Sequence, residues 1–460
     1  MAKRIVTLLL ALVMILSLAA CGGSKPAEGT EAPNAAAGDR TVISVWSTNR
    51  HDAEYLTPLI ENFNNTNEKV YIEYQIYADN YAQMLDLAFS TDSAPDVFMM
   101  SSTDPLEVQV NEKKQLMDLS QFMTEEDYAR FGDGAFVEGV NAVGTGIYSF
   151  PYTASAARLF YNQDIFDRVG ITAPPTTLDE MVEYAQLVSE KLSGEGIYGF
   201  SGNFKSAASS VARSIDMINV RSGGNRSGYN FATGKYDFSC YKEVLEAFKA
   251  MLAPGVGFPG SESLDIDPMR TQFAAGKIAM YISISHAEPG VYASQFPTDQ
   301  NWNCCQLPTI SGKVDGKQQL WFGGSQFAMN PNTKDPAAAW EVFQFLHSDE
   351  VMAGYHSAGL GTVMIPSAVA KATPPATIAK MPDLAINSDD VQYPVLPSVR
   401  VEGKDYYTCF VECIFGMADI DKTIEDLNTR YNAAYDKVVE GGVERIVFPN
   451  FTPLGQDTSK

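Results

Sequence analysis

Hydrophobic positions in residues 41–100 switch repeatedly between the period of a strand and the period of a helix. Runs rich in β-branched and aromatic residues at 42–46, 70–74 and 95–100 predict three buried strands. This order of elements predicts a mainly parallel α/β sheet, in which ligands bind beyond the carboxyl ends of the strands. Those ends carry the polar residues 47–50 and 101–104. The intervening apolar residues recur at helical spacing, first at Tyr55, Leu59, Ile60 and Phe63, and then at Tyr81, Leu85 and Ala88.

Clear helix starts occur in the second half of the chain. Residues 177–180 read Thr-Leu-Asp-Glu, a capping box, and Asp335 precedes Pro336 as an N-cap precedes a first-turn proline. Apolar residues at helical spacing follow each start and predict one buried face per helix, with Trp340 in the core. The face predicted for the last helix consists of Ile424, Leu427, Tyr431, Ala434, Tyr435 and Val438.

The first twenty residues have the three zones of a secretory signal. Lys3 and Arg4 precede an apolar run over 5–18, which is short for a membrane span, and the run ends in Leu-Ala-Ala before Cys21. This ending resembles a bacterial lipobox, which implies cleavage before Cys21 and a lipid on its sulfur. The alternative is an ordinary signal peptide with a chance cysteine. Residues 22–40 are rich in Gly, Ala, Pro, Glu and Ser, and predict a flexible tether.

Chain length and charge limit the possible functions. A chain of 460 residues is long for one domain and favours two lobes. The formal net charge of −23 argues against nucleic acid as a partner and against electrostatic docking on anionic lipid. No run after Cys21 is long and apolar enough to span a bilayer, so we expect the rest of the chain to be soluble.

Cysteines, histidines and catalytic motifs do not indicate an enzyme. Five cysteines follow Cys21 without a disulfide or zinc pattern, and we expect them to be small buried apolar residues: Cys240, Cys304, Cys305, Cys409 and Cys413. The sequence lacks a phosphate-binding loop, a nucleophile elbow and a His-Glu-x-x-His motif. We therefore predict no metal, no cofactor and no catalysis.

Four ordered stretches carry a family resemblance. They are residues 45–50, 146–166, 273–280 and 323–331, the last running on to the Trp340 helix. In this order they resemble the extracellular solute-binding proteins of sugar-importing ABC transporters, the maltose-binding-protein-like group. The resemblance covers the chain from Thr41 to about Asn432.

The resemblance implies an α/β protein with the two-lobed periplasmic-binding-protein-like fold (type II), in which mixed sheets are flanked by helices. The lobes would close by a hinge on a solute in the cleft. The chain would cross between lobes near 151–155, near 308–311 and around 365–375. The implied segments are a signal peptide (1–20), a tether (21–40), lobe 1 (41–152 plus about 310–370) and lobe 2 (153–309 plus about 371–460).

The implied function is capture of a sugar or oligosaccharide and its delivery to an ABC permease by a lipid-anchored, extracytoplasmic monomer. Sugars present hydroxyls and apolar C–H faces, so their sites combine charged or amide partners with aromatic rings. The candidate ligand-binding residues are Trp46, Asn49, Arg50, Asp104, Tyr152, Ser155, His286, Trp321, Gly323 and Tyr406.

Several candidates have a specific reason and an open alternative. Trp46 faces either the cleft or the core, and Arg50 with Asn49 has plain surface as its alternative. Tyr152 follows a proline and precedes Thr153, which favours an open loop at the first crossing. Either Tyr406 or Tyr407 should face the sugar.

Other candidates rest on the family pattern. Asp104 follows the third strand, where the family often has a carboxylate that binds hydroxyls. Gly323 allows backbone to approach a ligand closely, and Trp321 just before it would offer a stacking surface. His286 stands where the family often has a tryptophan, which leaves the type of sugar open.

Two other functions remain open on the sequence alone. The first is a binding protein for a non-sugar solute such as a polyamine. The second is a lipid-anchored glycoside hydrolase, which needs two carboxylates about 5 to 9.5 Å apart across one cleft.

Overall fold

A computed structural model describes residues 34–77, 80–100, 104–131, 135–284, 288–322, 326–374 and 379–459. The strands are β1 (Thr41–Ser47), β2 (Val70–Ile76), β3 (Val97–Met99), β4 (Ala142–Val143), β5 (Gly146–Ile147), β6 (Thr153–Ser155), β7 (Ala157–Asn162), β8 (Tyr198–Phe200), β9 (Tyr229–Asn230), β10 (Lys235–Tyr236), β11 (Ile278–Ile284), β12 (Trp302–Cys305), β13 (Gln318–Gln319), β14 (Trp321–Phe322), β15 (Phe327–Met329), β16 (Thr362–Val363) and β17 (Asp390–Val391).

The α-helices of six residues or more are α1 (Ala53–Thr66), α2 (Tyr81–Ser90), α3 (Glu125–Phe131), α4 (Gln163–Val169), α5 (Leu178–Leu192), α6 (Ala207–Arg213), α7 (Ile215–Arg221), α8 (Lys242–Met251), α9 (Ile266–Ala274), α10 (Pro336–Leu346), α11 (Asp349–Ser357), α12 (Pro366–Lys371), α13 (Tyr406–Ile414) and α14 (Ile420–Glu440). Shorter helical turns lie at Asn34–Ala37 and Glu288–Gly290.

Lobe 1 is built on a four-stranded sheet in the order β15-β3-β1-β2. β1 pairs in parallel with β2 and with β3, and β15 closes the edge in antiparallel orientation. The mainly parallel sheet predicted from residues 41–100 is confirmed. Ile43 and Val45 of β1 are buried, because alternate residues of a strand face the same side of its sheet.

Lobe 2 is built on a second four-stranded sheet in the order β12-β7-β11-β8. β7 pairs in antiparallel orientation with β11 and β12, while β8 is parallel to β11. Both faces of this sheet are covered. Leu159 and Tyr161 of β7 join the large lobe 2 core, and Phe160 between them joins a smaller core with Phe273 and Tyr281.

Each lobe has its own hydrophobic core drawn from two stretches of chain. The lobe 1 core takes residues between Ile43 and Tyr152 and again between Phe327 and Ala368. The large lobe 2 core takes residues between Ala157 and Leu307 and again between Tyr393 and Phe451. The chain therefore leaves lobe 1, builds most of lobe 2, and returns before finishing in lobe 2.

A small sheet in the order β14-β6-β16 lies where the chain passes between the lobes. The first crossing is β6, in the predicted region. The second crossing lies after Trp321 rather than at 308–311. The reason is packing: Gln319 donates a backbone hydrogen bond to the Met217 sulfur, and Gln318 pairs with Asp390, so residues up to Trp321 still belong to lobe 2.

The predicted helix starts are present. Thr177 and Glu180 form the capping box of α5, and Asp335 caps α10 by accepting the Ala338 N–H at 3.0 Å. Trp340 is half-buried and packs on the lobe 1 core. Of the face predicted for α14, Ile424, Leu427, Tyr431 and Tyr435 are buried, whereas Ala434 and Val438 are only half-buried. The cysteines in the described part of the chain are free thiols, buried except for the half-buried Cys240.

Candidate functional site

A cavity of about 210 Å³ lies between the lobes, beyond the carboxyl end of β1. Lobe 1 contributes the loop that follows β1, and lobe 2 contributes the end of α6, the start of α9 and the end of β11. The lining residues are Thr48, Asn49, Arg50, His51, Arg213, Ile266, Asp267, Arg270, Ile284, Val291 and Gln295. Its position matches the general rule for ligands of α/β sheets.

Larger cavities lie elsewhere in the described part of the chain. Those of about 480 and 330 Å³ are lined by lobe 2 alone, and two are larger still. One, of about 650 Å³, is at the amino end of β1 and is lined by residues such as Asp96 and Asn330. The other, of about 610 Å³, is an apolar groove on lobe 2 next to Phe415 and Met417. Neither is lined by both lobes, and the first lies at the wrong end of the parallel strands. The interlobe cavity is therefore the candidate site.

The loop after β1 forms the lobe 1 wall. The backbone N–H of Asn49 donates to the Ser47 hydroxyl at 3.1 Å, and its side-chain amide donates to an Asp52 carboxylate oxygen at 3.1 Å. These bonds hold the loop in shape and present Arg50 to lobe 2. There Arg50 Nη2 forms an ion pair with Asp267 at 2.6 Å, which joins the lobes across the cavity.

Arg270 and Glu288 stiffen the lobe 2 wall. Arg270 binds the Glu288 carboxylate with two nitrogens, Nε at 3.0 Å and Nη2 at 2.7 Å. The Ser283 hydroxyl also donates to Glu288 at 2.6 Å, and Arg270 Nη1 lies 3.3 Å from Asp267. Glu288 is fully buried, so these charge-assisted bonds compensate a carboxylate that water does not reach.

Arg213, at the end of α6, is the third arginine of the cavity. Its Nε donates to the Ser209 carbonyl at 3.0 Å, Nη1 to the Ser283 hydroxyl at 3.4 Å, and Nη2 to the Ser209 hydroxyl. Within the described ranges, no carboxylate lies at ion-pair distance from Arg213. Burial lowers the pKa of Arg213 to about 10, and the positive charge of Arg270 acts in the same direction.

A buried acid and a histidine lie behind the lobe 1 wall. The Tyr355 hydroxyl donates to Asp52 at 3.2 Å and lies 3.1 Å from His51 Nε2. Burial raises the pKa of Asp52 and lowers the pKa of His51. His51 also lines the cavity, so a ligand there would meet a polar group held in place from behind.

Two of the ten predicted site residues, Asn49 and Arg50, line the interlobe cavity. Trp46 is half-buried against the lobe 1 core, with its ring centroid 4.6 Å from that of Tyr77. Asp104 forms an ion pair with Lys113 at 2.7 Å. Both residues are near the carboxyl ends of the parallel strands without lining the cavity.

The candidates at the first two crossings are more buried than expected. Tyr152 lies in the lobe 1 core rather than in an open loop, and its ring meets those of Phe327 and His347. Ser155 is buried in β6 opposite Trp321 of β14, and its hydroxyl has no hydrogen-bond partner among the residues described. Trp321 is half-buried on the lobe 2 core.

Tyr406 lies inside lobe 2. Its hydroxyl is 2.7 Å from an Asp216 carboxylate oxygen and 2.9 Å from the Ser227 hydroxyl. Tyr407 is half-buried, with its ring centroid 3.9 Å from that of Tyr406. Three further predicted residues, His286, Gly323 and Cys21, lie outside the described residues.

Sequence reasoning missed the lobe 2 wall. Arg213, Asp267, Arg270 and Glu288 come from segments that the family pattern did not single out. One signal was available: Asp267 and Arg270 stand three residues apart on the helix before the 273–280 stretch, so they share one helix face. Arg213 and Glu288 carry no comparable local signal.

Two α/β lobes joined by crossing strands around a polar cavity define the class of hinged, two-lobed binding proteins. The chain belongs to the bacterial extracellular solute-binding protein family, whose sequence model matches residues 47–353. The family description places its members outside the cytoplasm. No helix in the described ranges combines the length and the apolar character that a membrane crossing needs.

Two relatives whose names state their ligands are similar to this chain over about three quarters of their own length. The chain is 24% identical over 346 residues to the diacetylchitobiose-binding protein DasA of Streptomyces coelicolor, covering 74% of this chain and 77% of DasA. It is 20% identical over 353 residues to the melibiose/raffinose/stachyose-binding protein MelE of Bacillus subtilis, covering 74% and 73%.

Solved structures show the same fold. A sugar transporter protein of Bacillus licheniformis, crystallised in complex with stachyose, has a TM-score of 0.63 to this chain at 16% identity. The similarity covers 86% of this chain and all of the other. The predicted two-lobed α/β fold is thereby confirmed.

Proposed function

We propose that this protein captures a carbohydrate between its lobes and delivers it to the permease of an ABC importer. The supporting observation is the interlobe cavity, whose wall offers guanidinium, carboxylate, amide and hydroxyl groups from both lobes. Such groups bind sugar hydroxyls through charge-assisted hydrogen bonds. The relatives DasA and MelE, named for the sugars they bind, support carbohydrate as the solute class.

Charge at the cavity argues against a polyamine. Arg50, Arg213 and Arg270 all line the wall, so a polycation would enter a site that already holds three guanidinium groups. Like charges brought together in a site with limited water repel one another strongly. A carbohydrate avoids this repulsion.

Binding of a sugar panel tests the proposal directly. The purified protein is heated with mono- and oligosaccharides, and a true ligand raises the melting temperature because it binds only the folded state. At 100 times its dissociation constant, a ligand adds about 2.7 kcal/mol of stability. Carbohydrate binding would be contradicted if spermidine raised the melting temperature and no saccharide did.

Catalysis is the competing function. We propose that the protein binds its solute without chemistry, as expected for its family. Incubation of the protein with labelled forms of every saccharide that raises its melting temperature, followed by chromatography, should return each saccharide intact. Shortened products that require the purified protein would contradict this proposal.

We propose that a lipid on Cys21 anchors the protein at the outer face of a membrane, with residues 22–40 as tether. A clickable palmitate analogue fed to cells should label the protein and leave Cys21→Ala unlabelled. After cell fractionation, the variant should no longer be found in the membrane fraction. A Cys240→Ala variant is the matched control and should keep its label. Equal labelling of the Cys21→Ala variant would contradict the anchor.

The protein is proposed to act as a monomer, because one chain supplies both walls of the cavity. Closure on the solute would bring the two lobes into the arrangement that the permease recognises. Light scattering with and without ligand measures the mass in both states, and a dimer in either state would contradict this part of the proposal.

A further inference from the structure

The three arginines of the cavity wall differ in whether a carboxylate pairs with them. Arg50 pairs with Asp267, and Arg270 pairs with Glu288 and Asp267. Arg213 contacts only neutral groups, from Ser209 and Ser283, among the described residues. In a chain with 56 acidic residues and a formal net charge of −23, no carboxylate of the described residues forms an ion pair with this cation.

The nearby acids are already engaged. Both Glu288 carboxylate oxygens receive bonds from Arg270, and one of them also receives the Ser283 hydroxyl. Asp265 caps α9 and accepts a hydrogen bond from the Ser206 hydroxyl at 3.1 Å. These acids therefore make the electrostatic potential around Arg213 less positive, but they do not form an ion pair with it.

Arg213 has more N–H groups than its described contacts use. A guanidinium has five N–H groups, one on Nε and two on each terminal nitrogen. The described contacts use the Nε proton and one proton on each of Nη1 and Nη2. One N–H on each terminal nitrogen remains, and a guanidinium can bind a carboxylate or phosphate through N–H groups on both terminal nitrogens.

We infer that the solute is an acidic saccharide whose carboxylate or phosphate group forms an ion pair with Arg213. This inference rests on the proposed carbohydrate-binding function and narrows it. A neutral sugar satisfies the two N–H groups through its hydroxyls but leaves the half-buried positive charge uncompensated. An oxyanion satisfies both the hydrogen bonds and the charge, which makes it the better complement.

The test uses pairs of saccharides that differ in the acidic group. Digalacturonate is compared with galactobiose of the same linkage, and glucose 6-phosphate is compared with glucose, by isothermal titration calorimetry on the purified protein. The two pairs separate a carboxylate from a phosphate. At least one acidic member should bind, and it should bind at least about tenfold more tightly than its neutral partner, as a charge-assisted bond predicts.

Variants assign the effect to Arg213. Arg213→Gln should lose about 10- to 100-fold in affinity for the acidic saccharide and change neutral-sugar affinity little. Arg213→Lys keeps the charge and loses the paired geometry, so its loss should be intermediate. Arg168→Gln, which removes an exposed cation paired with Glu195, is the matched control and should bind as the parent does.

The melting temperature of the unliganded Arg213→Gln protein shows whether Arg213 acts in ligand binding or in stabilising the fold. Because the parent holds a half-buried cation with no acid at ion-pair distance in the described structure, its replacement should leave this temperature unchanged or raise it. Loss of affinity together with a lower melting temperature would instead assign Arg213 a structural role and overturn the inference.

The outcomes separate the inference from the function on which it rests. If neutral saccharides bind as tightly as their acidic partners and Arg213→Gln changes neither affinity, the acidic-ligand inference is overturned while carbohydrate binding stands. If no neutral or acidic saccharide of a broad panel binds, both are overturned.

Discussion

Burial decides the chemistry of single residues in this protein, and His347 shows this most clearly. It follows α10 and is only 1% exposed. Its Nδ1 donates to the Phe343 carbonyl at 2.7 Å, whereas its Nε2 has no hydrogen-bond partner in the described part of the chain. Burial lowers the pKa of His347 from 6.5 to about 4. A proton on Nε2 would be a buried donor without an acceptor.

This pKa shift predicts acid sensitivity. Between pH 6.5 and pH 4 the unfolded chain binds a proton at His347 and the folded protein does not, so the free energy of unfolding falls as the pH falls. The loss should reach about 3 kcal/mol near pH 4 and then level off. Urea unfolding at several pH values measures it.

His347→Phe provides the comparison, because it keeps a ring among the surrounding aromatic side chains and does not titrate. The difference in unfolding free energy between parent and variant should change by about 3 kcal/mol between pH 7.5 and pH 4. A difference that stays constant with pH would show that His347 is not the responsible group.

Tyr406 is a second residue whose burial determines which groups its side chain contacts. Its place near the start of α13 suggested a sugar contact, yet its hydroxyl lies among Asp216 and Ser227 inside lobe 2. Burial raises the pKa of Asp216, and bonds from tyrosine hydroxyls partly offset that cost. The binding role of Tyr406 stays a prediction, while its structural contacts are clear.

At the scale of elements, one buried ion pair ties the last part of the chain to lobe 2. Arg158 of β7 binds Asp390 at the start of β17 through two nitrogens, at 3.1 and 2.7 Å, and both side chains are fully buried. Arg158 also donates to the Ala385 carbonyl at 2.7 Å. The pair therefore fixes the chain after its third crossing onto the lobe 2 sheet.

Asp390→Asn should destabilise the protein by about 3–5 kcal/mol, because it leaves the buried Arg158 charge without its partner. Chemical denaturation measures the change. Glu195→Gln is the matched control, since it breaks the exposed Arg168–Glu195 pair, and it should cost no more than about 1 kcal/mol. Equal effects of the two substitutions would contradict a special role for the buried pair.

At the scale of the whole molecule, individual contacts among the described residues join the lobes across the cavity. The Arg50–Asp267 pair is one, at 2.6 Å. Another lies where lobe 2 places Gly290 against Leu360 of lobe 1. A Cβ atom on Gly290 would lie 3.0 Å from a Leu360 methyl carbon, which is a tight contact. Weak bridges of this kind suit a protein whose lobes must separate to exchange solute.

Asp267→Asn should shift the unliganded protein towards open forms with little effect on stability. The Arg50 side chain is 56% exposed, so the pair contributes at most about 1 kcal/mol. Such an energy is nevertheless comparable to the difference between hinge states. Small-angle X-ray scattering should therefore show a larger radius of gyration for the unliganded variant.

Arg168→Gln removes an exposed pair within lobe 2 and serves as the control for this measurement. Its radius of gyration should equal that of the parent. An unchanged radius for Asp267→Asn would mean that Arg50 and Asp267 do not help to hold the lobes together.

Local patterns were enough to predict much of this molecule. The period-two and helical repeats of residues 41–100 predicted the parallel sheet of lobe 1, and the Thr177 and Asp335 signals predicted two helix starts. Such signals act between neighbours in the chain, because a cap or an alternating strand involves residues only a few positions apart. The order of the four motifs then predicted the fold class and the family by resemblance.

Only the folded chain decided which side chains meet in the cavity. Arg50 and Asp267 are 217 positions apart, Arg213 and Ser283 are 70 apart, and Tyr406 and Asp216 are 190 apart. A local pattern holds no information about such pairs, because packing of whole elements sets their distances. For this reason the loop after β1 was predictable as one wall of the site, whereas the opposite wall with Arg213 became visible only when lobe 2 was folded against it.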